Sequence, residues 1–437
     1  MASADAPRVA RAGPRLTRAL SSRNFRLFFG GQSVSLVGTW ITRIATSWLV
    51  YRLTGSALLL GIVGFCGQIP TLLLAPFAGV LVDRWNRRRI LVVTQALSLV
   101  QSAALAVLTL AGIITVTDIL VLQLAQGVIN AFDTPARQAF VSEMVEDRTH
   151  LPNAIALNSS MVNASRIIGP SIGGIIIAAV GEGWCFAIDA VSYVAVIASL
   201  VAMRLAERET PRRVARMREE LAIGYRYVTG FLPVRSALLL LALVSVMGMP
   251  YTVLMPAVAG RVLHGGPHTL GFLMTASGAG ALGGALYLAS RSSVLGLGRA
   301  MAVASATFGV GLVAFALSRA MWLSMLVLPV VGAGMMITMA STNTIIQTVV
   351  DEDLRGRVMA FYTMAFLGTA PIGSLLAGVL ADRIGAPRTI LLGGLACIAA
   401  GAWFALRLPR LRELVRPIYV ERGILAAAQL EGNATSL

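Results

Sequence analysis

The chain has 437 residues, of which 57% are hydrophobic and only 13% are charged, and its mean hydropathy is +0.78. A soluble domain carries about 25% charged residues, so this composition excludes a soluble globular protein. The net charge of +16 comes from 36 arginines, with no lysine, against 20 acidic residues, and the hydrophobicity excludes a nucleic-acid-binding protein of that charge. The three cysteines lie in separate apolar runs, which predicts neither a disulfide framework nor a metal site.

Twelve apolar runs follow one another along the chain, each close to the roughly 20 helical residues that cross a bilayer. Their predicted spans are 27–50, 58–82, 90–112, 118–139, 154–179, 184–203, 236–259, 270–289, 299–317, 321–344, 358–381 and 388–408. The arginine-rich arm before the first run has no cleavage site for a signal peptide. We therefore predict an all-α membrane protein with twelve transmembrane helices and a retained amino terminus.

The distribution of arginine predicts the orientation of the chain. Of the 36 arginines, 29 lie in segments that twelve crossings place on the side of the amino terminus, and 5 lie on the opposite side. Short cytoplasmic loops carry the excess of positive charge in membrane proteins. Both termini are thus predicted to be cytoplasmic, in a multi-pass protein of the plasma membrane, here a bacterial inner membrane.

A charged stretch divides the twelve runs into two sets of six. The predicted domains are a cytoplasmic arm (1–26), a first six-helix half (27–203), a cytoplasmic linker (204–235), a second six-helix half (236–408) and a cytoplasmic tail (409–437). Similar proline-glycine patterns surround Pro170 in run 5 and Pro371 in run 11, which indicates two parallel repeats. Parallel repeats of this kind place a substrate cavity between them near the middle of the membrane.

Run 2 ends in a glycine, an aspartate four residues later and a cluster of arginines: Gly79, Asp83, Arg84, Arg87 and Arg88. This pattern resembles the loop signature of the major facilitator superfamily. The resemblance implies a gating loop, in which the glycine allows close helix approach and the aspartate faces the positive end of a neighbouring helix. The alternative is that the arginines only set the topology.

Run 5 contains a row of small residues around a proline: Ser165, Gly169, Pro170, Gly173 and Gly174. This segment is similar to the antiporter motif of exporters in the same superfamily. Small residues four apart let another helix pack closely, and the proline removes one backbone donor. The resemblance therefore implies an export-type helix, and the alternative is ordinary helix packing.

Further segments are similar to one branch of that superfamily. Gln126 and Gly127 occupy the end of a motif that proton-coupled members often carry, but Gln123 stands where that motif has its arginine. Residues 131–140 and 151–158 look like the enterobactin-exporter and macrolide-efflux branch. The resemblance extends from about residue 20 to residue 408 and implies the fold and transport activity of that branch.

Four ionisable residues lie inside the predicted runs: Arg43, Asp133, Arg166 and Asp189. Charges within a membrane are costly and are functional candidates by default. We predict a gating role for Asp133, paired with Arg84, Arg88 or Arg137. Asp189 is the candidate proton carrier, and with Gln126 and the two arginines it forms the predicted set of substrate and proton residues. A permanent ion pair between Asp189 and Arg43 or Arg166 is the alternative.

The predicted function is secondary active export of a small organic solute of siderophore, drug or macrolide type. Alternating access would be driven by proton antiport, in a monomer that needs no cofactor, metal or nucleic-acid partner. The alternatives are a proton-coupled uptake symporter for a metabolite and a non-transporting or scramblase-like membrane protein. No combination of nucleophile, base and orienting group and no nucleotide-binding motif is present in the sequence, so we predict that the chain is not an enzyme.

Overall fold

A computed structural model describes residues 18–145, 148–204, 217–291 and 293–425, which form helices and short turns and contain no β-strand. The first six helices are α1 (Arg23–Thr54), α2 (Ala57–Arg84), α3 (Arg87–Leu110), α4 (Val116–Met144), α5 (Leu151–Val180) and α6 (Glu182–Ala202). The others are α7 (Met217–Gly230), α8 (Leu232–Leu243), α9 (Tyr251–Ala257), α10 (Pro267–Ala289), α11 (Leu297–Leu317), α12 (Met321–Val349), α13 (Glu352–Thr363), α14 (Ala370–Ile384) and α15 (Ala386–Glu421).

Two pairs of these helices belong to longer apolar segments with irregular turns. The π-helical segment Val244–Gly248 joins α8 to α9, and a second, Val258–Val262, follows α9 and completes the segment Leu232–Val262. The π-helical segment Met364–Gly368 joins α13 to α14 in the segment Glu352–Ile384. Single π turns insert an extra residue into a helix and are frequent at functional sites.

Ten of the described segments are long and apolar enough to cross a membrane, each with 18 or more residues. The helices α1 and α4 are not among them, although each has a predicted run at its centre. Both carry polar side chains toward the centre of the bundle, which lowers their hydropathy. The all-α membrane fold is therefore confirmed, whereas the number of twelve crossings stays a prediction.

Glycine turns occur at equivalent places in the two halves. Gly181 separates α5 from α6 and Gly385 separates α14 from α15, with φ angles of +91° and +88°. Positive φ is accessible to glycine at little cost, so each helix can end and the next begin without a longer loop. The first half consists of α1–α6 and the second of α8–α15.

The two halves meet along α2 with α14 and along α5 with α10. A Cβ atom added to Gly61 would lie 2.8 Å from the Cα atom of Gly378, and one added to Gly174 would lie 3.1 Å from the Cα atom of Gly271. Both contacts lie near the face that carries the α1–α2 and α5–α6 turns, here called the distal face. The opposite face, here called the terminal face, carries the start of α1 and the end of α15. Backbone-to-backbone contact thus seals the halves together at the distal face.

The structure shifts two predicted boundaries. Within the predicted linker 204–235, α7 packs on α13, where Gly224 lies against Phe361, and α8 begins at Leu232. The last helix does not end at 408 but continues to Glu421, because Leu411 and Val415 remain buried beyond the apolar run. The predicted linker residues 205–216 and tail residues 426–437 lie outside the described part of the chain.

Candidate functional site

A cavity of about 300 Å³ lies between the two halves near the middle of the bundle. Its walls come from α1–α6 on one side and from α9, α10, α14 and the turn before α9 on the other. Among its lining residues are all four members of the predicted substrate and proton set, namely Arg43, Gln126, Arg166 and Asp189. A volume of this size holds a small organic molecule.

The two cavity arginines share one aromatic neighbour. The guanidinium carbon of Arg43 lies 4.7 Å from the centre of the Trp40 ring, and that of Arg166 lies 6.0 Å from it. Among the described residues, no carboxylate oxygen lies within 4.0 Å of either guanidinium group. The site therefore holds two cations that an aromatic ring positions and that no acidic side chain among the described residues pairs with directly.

Asp189 is buried against α3 and α1. Its carboxylate accepts a hydrogen bond from Ser102 at 2.9 Å and from Ser192 at 3.5 Å. A Cβ atom on Gly38 would lie 2.7 Å from its Oδ1 atom, so the glycine makes room for the carboxylate against α1. The alternative of a permanent ion pair with Arg43 or Arg166 is not realised in this structure, because the Asp189 side chain contacts hydroxyl groups instead.

No described residue in the wall from the second half is charged. The hydroxyl groups of Tyr251 and Ser277 share one hydrogen bond of 2.6 Å there, and the apolar side chains of Met249 and Met274 line the same wall. Every charged residue that lines the cavity comes from the first half. The cavity is therefore amphipathic, with a charged and polar wall facing a mostly apolar one, which suits a solute with one charged group and an apolar body.

Gln126 extends the polar wall along α4. Its amide nitrogen donates to Ser98 at 3.3 Å and to Asn130 at 3.2 Å, while its amide oxygen is buried without a partner in the described structure. A buried acceptor without a donor is costly unless a ligand or water satisfies it. Gln126 is thus placed to accept a hydrogen bond from a solute.

The predicted antiporter-motif residues lie in close helix contacts on two sides of α5. Gly169 and Gly173 face α1, where added Cβ atoms would meet Trp40 and Ile41. On the other side, the carbonyl oxygen of Pro170 and the backbone of Gly174 contact α10 at Gly271, and Ser165 is buried. The motif therefore packs α5 between α1 of its own half and α10 of the other.

Arginines of the predicted gating loop contact other residues of the first half. Arg87 forms an ion pair with Glu143 at 2.6 Å, and Arg88 donates to the carbonyl oxygen of Val201 at 2.7 Å. Arg84 is exposed, and the side chain of Asp83 lies outside the described part of the structure. A Cβ atom on Gly79 would meet no heavy atom within 4 Å, so the close approach predicted for this glycine is not made in this conformation.

Asp133 lies near this loop but is held by its own neighbours. Its Oδ1 atom accepts from Thr94 at 2.9 Å and from Gln95 at 2.8 Å, and its Oδ2 atom lies 3.4 Å from Arg137. Of the three predicted partners, Arg137, one helical turn away, is the one within ion-pair distance of Asp133. Arg84 and Arg88 form no ion pair with Asp133 among the described residues.

Sequence reasoning missed the residues that hold Asp189. Gly38, Ser102 and Ser192 are small or hydroxyl residues within apolar runs, where they are too common to stand out. The period of the helix offers one signal, because Ser192 follows Asp189 by three residues and so lies on the same face. The contact with Ser102 on another helix has no such signal.

A family model described as transmembrane secretion effector, a family of the major facilitator superfamily, matches residues 17–418. The chain belongs to this family. It is accordingly a multi-pass membrane transporter and not an enzyme, and the predicted superfamily and branch are confirmed.

Its relatives include the Staphyloferrin A transporter of Staphylococcus aureus, 26% identical over 85% of this chain and 93% of the relative. The multidrug efflux pump Tap of Mycolicibacterium fortuitum is 31% identical over 86% and 93% of the two chains. The fold is similar to the crystal structure of a peptide transporter, POT, with a TM-score of 0.72 at 13% identity, covering 92% of this chain and all of that one.

Proposed function

We propose that this protein exports a small organic solute with an anionic group through the central cavity, by alternating access coupled to protons. The observation that carries the proposal is the arginine pair beside Trp40 without a carboxylate partner. An anion that accepts hydrogen bonds from Arg43 and Arg166 would neutralise charges that otherwise repel each other in surroundings of low dielectric constant. Among siderophore, drug and macrolide solutes, the pair favours those with an acidic group.

The direction of transport draws support from the relatives. The multidrug efflux pump Tap and the macrolide efflux protein A of Streptococcus pyogenes, which is 25% identical to this chain over 86% of its length and 94% of the relative, are both named for efflux. In the present conformation, glycine contacts seal the distal face while Gly79 near the terminal face meets open space. With cytoplasmic termini, such a conformation receives a solute from inside the cell.

Asp189 is our proposed proton carrier. It is 1% exposed, lines the cavity and has hydroxyl groups rather than a cation as its partners. A carboxylate without a neutralising cation can take up a proton on one side of the membrane and release it on the other as access to the cavity changes. Ser102 and Ser192 can remain its neighbours in both protonation states, because a hydroxyl donates and accepts.

A second candidate function follows from the same charges. Protonation of Asp189 would add one positive charge to a cavity that already holds Arg43 and Arg166, and would thereby strengthen the binding of an anion. Proton and anion would then travel in the same direction, as in an uptake symporter. For export, contacts made by the solute or the conformational change must outweigh this electrostatic attraction between the protonated site and the anion.

Everted membrane vesicles with an acidic lumen separate the two candidates. An antiporter exchanges external solute for luminal protons, so adding a siderophore or an acidic drug outside should dissipate the pH gradient. A symporter should dissipate it only when the same compound is loaded inside the vesicles. Dissipation in the second arrangement alone would overturn the export proposal.

Replacing both cavity arginines tests the anion site directly. For the purified Arg43→Gln/Arg166→Gln protein, we expect the affinity for the amphipathic anion anilinonaphthalene sulfonate to fall about tenfold or more, because charged hydrogen bonds are lost. Binding of the lipophilic cation tetraphenylphosphonium should not weaken. Tryptophan fluorescence measures both ligands. The variant Arg383→Gln/Arg388→Gln removes the same charge from exposed positions outside the cavity and serves as the matched control. Equal anion affinity in the cavity variant and the native protein would contradict the proposal.

The gating loop yields a further prediction. We expect Asp83→Asn to reduce solute flux in vesicles about tenfold, because the amide loses a charge-assisted interaction in the conformation closed at the terminal face. Expression and solute affinity should remain at native levels. Asp118→Asn makes the same chemical change at the start of α4 on the distal face and should retain native flux. Native flux in Asp83→Asn would remove the gating role.

A further inference from the structure

A second, smaller cavity lies at the terminal end of the second half, where α15 leaves the bundle. This groove encloses about 80 Å³. Its floor is apolar, with Phe404, Leu408 and Leu411 of α15 packed toward α8 and α12. Its rim carries three arginines, namely Arg299, Arg412 and Arg416, and none of the described residues that line it is acidic.

The rim arginines have no partners among the described residues. None of the three forms an ion pair or a side-chain hydrogen bond there, and the Nε atom of Arg416 is buried without an acceptor. Arg422, at the end of the same helix, is in contrast paired with Asp351 at 2.9 Å. A buried guanidinium N–H group without an acceptor is energetically costly. A ligand that brings acceptor oxygen atoms into the groove would remove this cost.

The continuation of α15 builds this arrangement. Beyond the apolar run, Leu411 and Val415 are 4% and 8% exposed, and they hold the helix against the end of the bundle. This register brings Arg412 and Arg416 one turn apart on the rim. Like charges four residues apart destabilise a helix, so an anion between them would relieve a repulsion that the fold itself creates.

We infer that this groove binds an anionic phospholipid of the membrane leaflet at the terminal face. The space is far smaller than the several hundred Å³ that an organic solute fills, so it suits only part of a ligand. A phosphate on the rim would accept hydrogen bonds from Arg412 and Arg416, while the glycerol end and the beginning of one acyl chain lie on the apolar floor. The remaining chains stay in the bilayer.

The position of the groove matches this ligand. Leu408 ends the last predicted membrane run, and Arg412 and Arg416 follow within eight residues. The predicted run therefore places both arginines at the level of the headgroup phosphates. Basic pockets between transmembrane helices at this interface bind anionic headgroups. Arg299 at the start of α11 provides the third positive charge from the opposite rim.

Native mass spectrometry of the purified full-length protein in mild detergent tests the inference. Dioleoyl phosphatidylglycerol, dioleoyl phosphatidylcholine and inorganic phosphate are titrated separately. We expect one phosphatidylglycerol to bind per chain in preference to phosphatidylcholine. The affinity should fall about thirtyfold in Arg412→Gln/Arg416→Gln, since each arginine near the membrane surface contributes about fivefold.

The matched control is Arg407→Gln/Arg410→Gln, which removes the same charge from exposed positions on the same helix outside the groove. It should bind phosphatidylglycerol as the native protein does. An equal loss of phosphatidylglycerol affinity in both double variants would mean that the lipid is attracted by the basic surface in general. Displacement of the lipid by equimolar inorganic phosphate would mean that the groove binds free anions. Either result, or an absence of lipid preference, would overturn the proposal. Should the double variant not fold, Arg416→Gln alone should bind about fivefold more weakly.

Discussion

Replacing Asp189 with asparagine is expected to uncouple transport from protons. With the membrane potential clamped at zero, a gradient of one pH unit supports about tenfold accumulation if one proton moves per solute. An amide neither takes up nor releases a proton in this range, so Asp189→Asn should show no accumulation. Asparagine has nearly the same shape and can still accept from Ser102, so folding and solute binding should persist. Uptake of the solute identified in the vesicle screen measures the accumulation.

The matched control is Glu182→Gln at the start of the same helix. Glu182 is also buried, but it pairs with Arg52 at 2.7 Å on the distal rim and does not line the cavity. Its replacement should leave the tenfold accumulation intact. Persistent accumulation in Asp189→Asn would show that another acid carries the proton, and Asp133→Asn would then be the next variant to measure.

The charged residues of the cavity were predictable because an ionisable side chain in an apolar run is costly and therefore conspicuous. Arg43, Arg166 and Asp189 all line the cavity, as the sequence indicates. Their partners were not predictable. The rotation of α6 about its axis decides whether Asp189 faces an arginine or Ser102 of α3, and this rotation depends on packing such as that of Gly38 against the carboxylate.

The limits of the fold were likewise only partly predictable. The last predicted run ends at 408, yet α15 continues through Pro409 to Glu421. A proline removes one backbone hydrogen bond, and the burial of Leu411 and Val415 offsets that loss. A hydropathy profile detects only the apolar run that crosses the membrane. It could not reveal that contacts beyond the end of this run keep the chain helical.

The second large effect is expected at the distal face, where Gly61 of α2 contacts α14. A Cβ atom on Gly61 would lie 2.6 Å from the carbonyl oxygen of Ser374 and 2.8 Å from the Cα atom of Gly378, and backbone atoms cannot move aside locally. Overpacking of this kind costs about 1–3 kcal/mol. Because the clash exists only while the distal face is closed, Gly61→Ala should shift the conformational equilibrium toward a distally open state by about fivefold to 150-fold.

Cysteine labelling measures that shift. Gln68 lines the cavity, so a Gln68→Cys variant in a background without Cys66, Cys185 and Cys397 reports access to it. An impermeant maleimide added from the distal side should react faster once Gly61→Ala is introduced. Gly283→Ala controls for helix propensity, because a Cβ atom there meets no heavy atom within 4 Å. Unchanged labelling in folded Gly61→Ala protein would mean that the glycine contact is not what closes the distal face, and the proposed alternation of access would need a different seal.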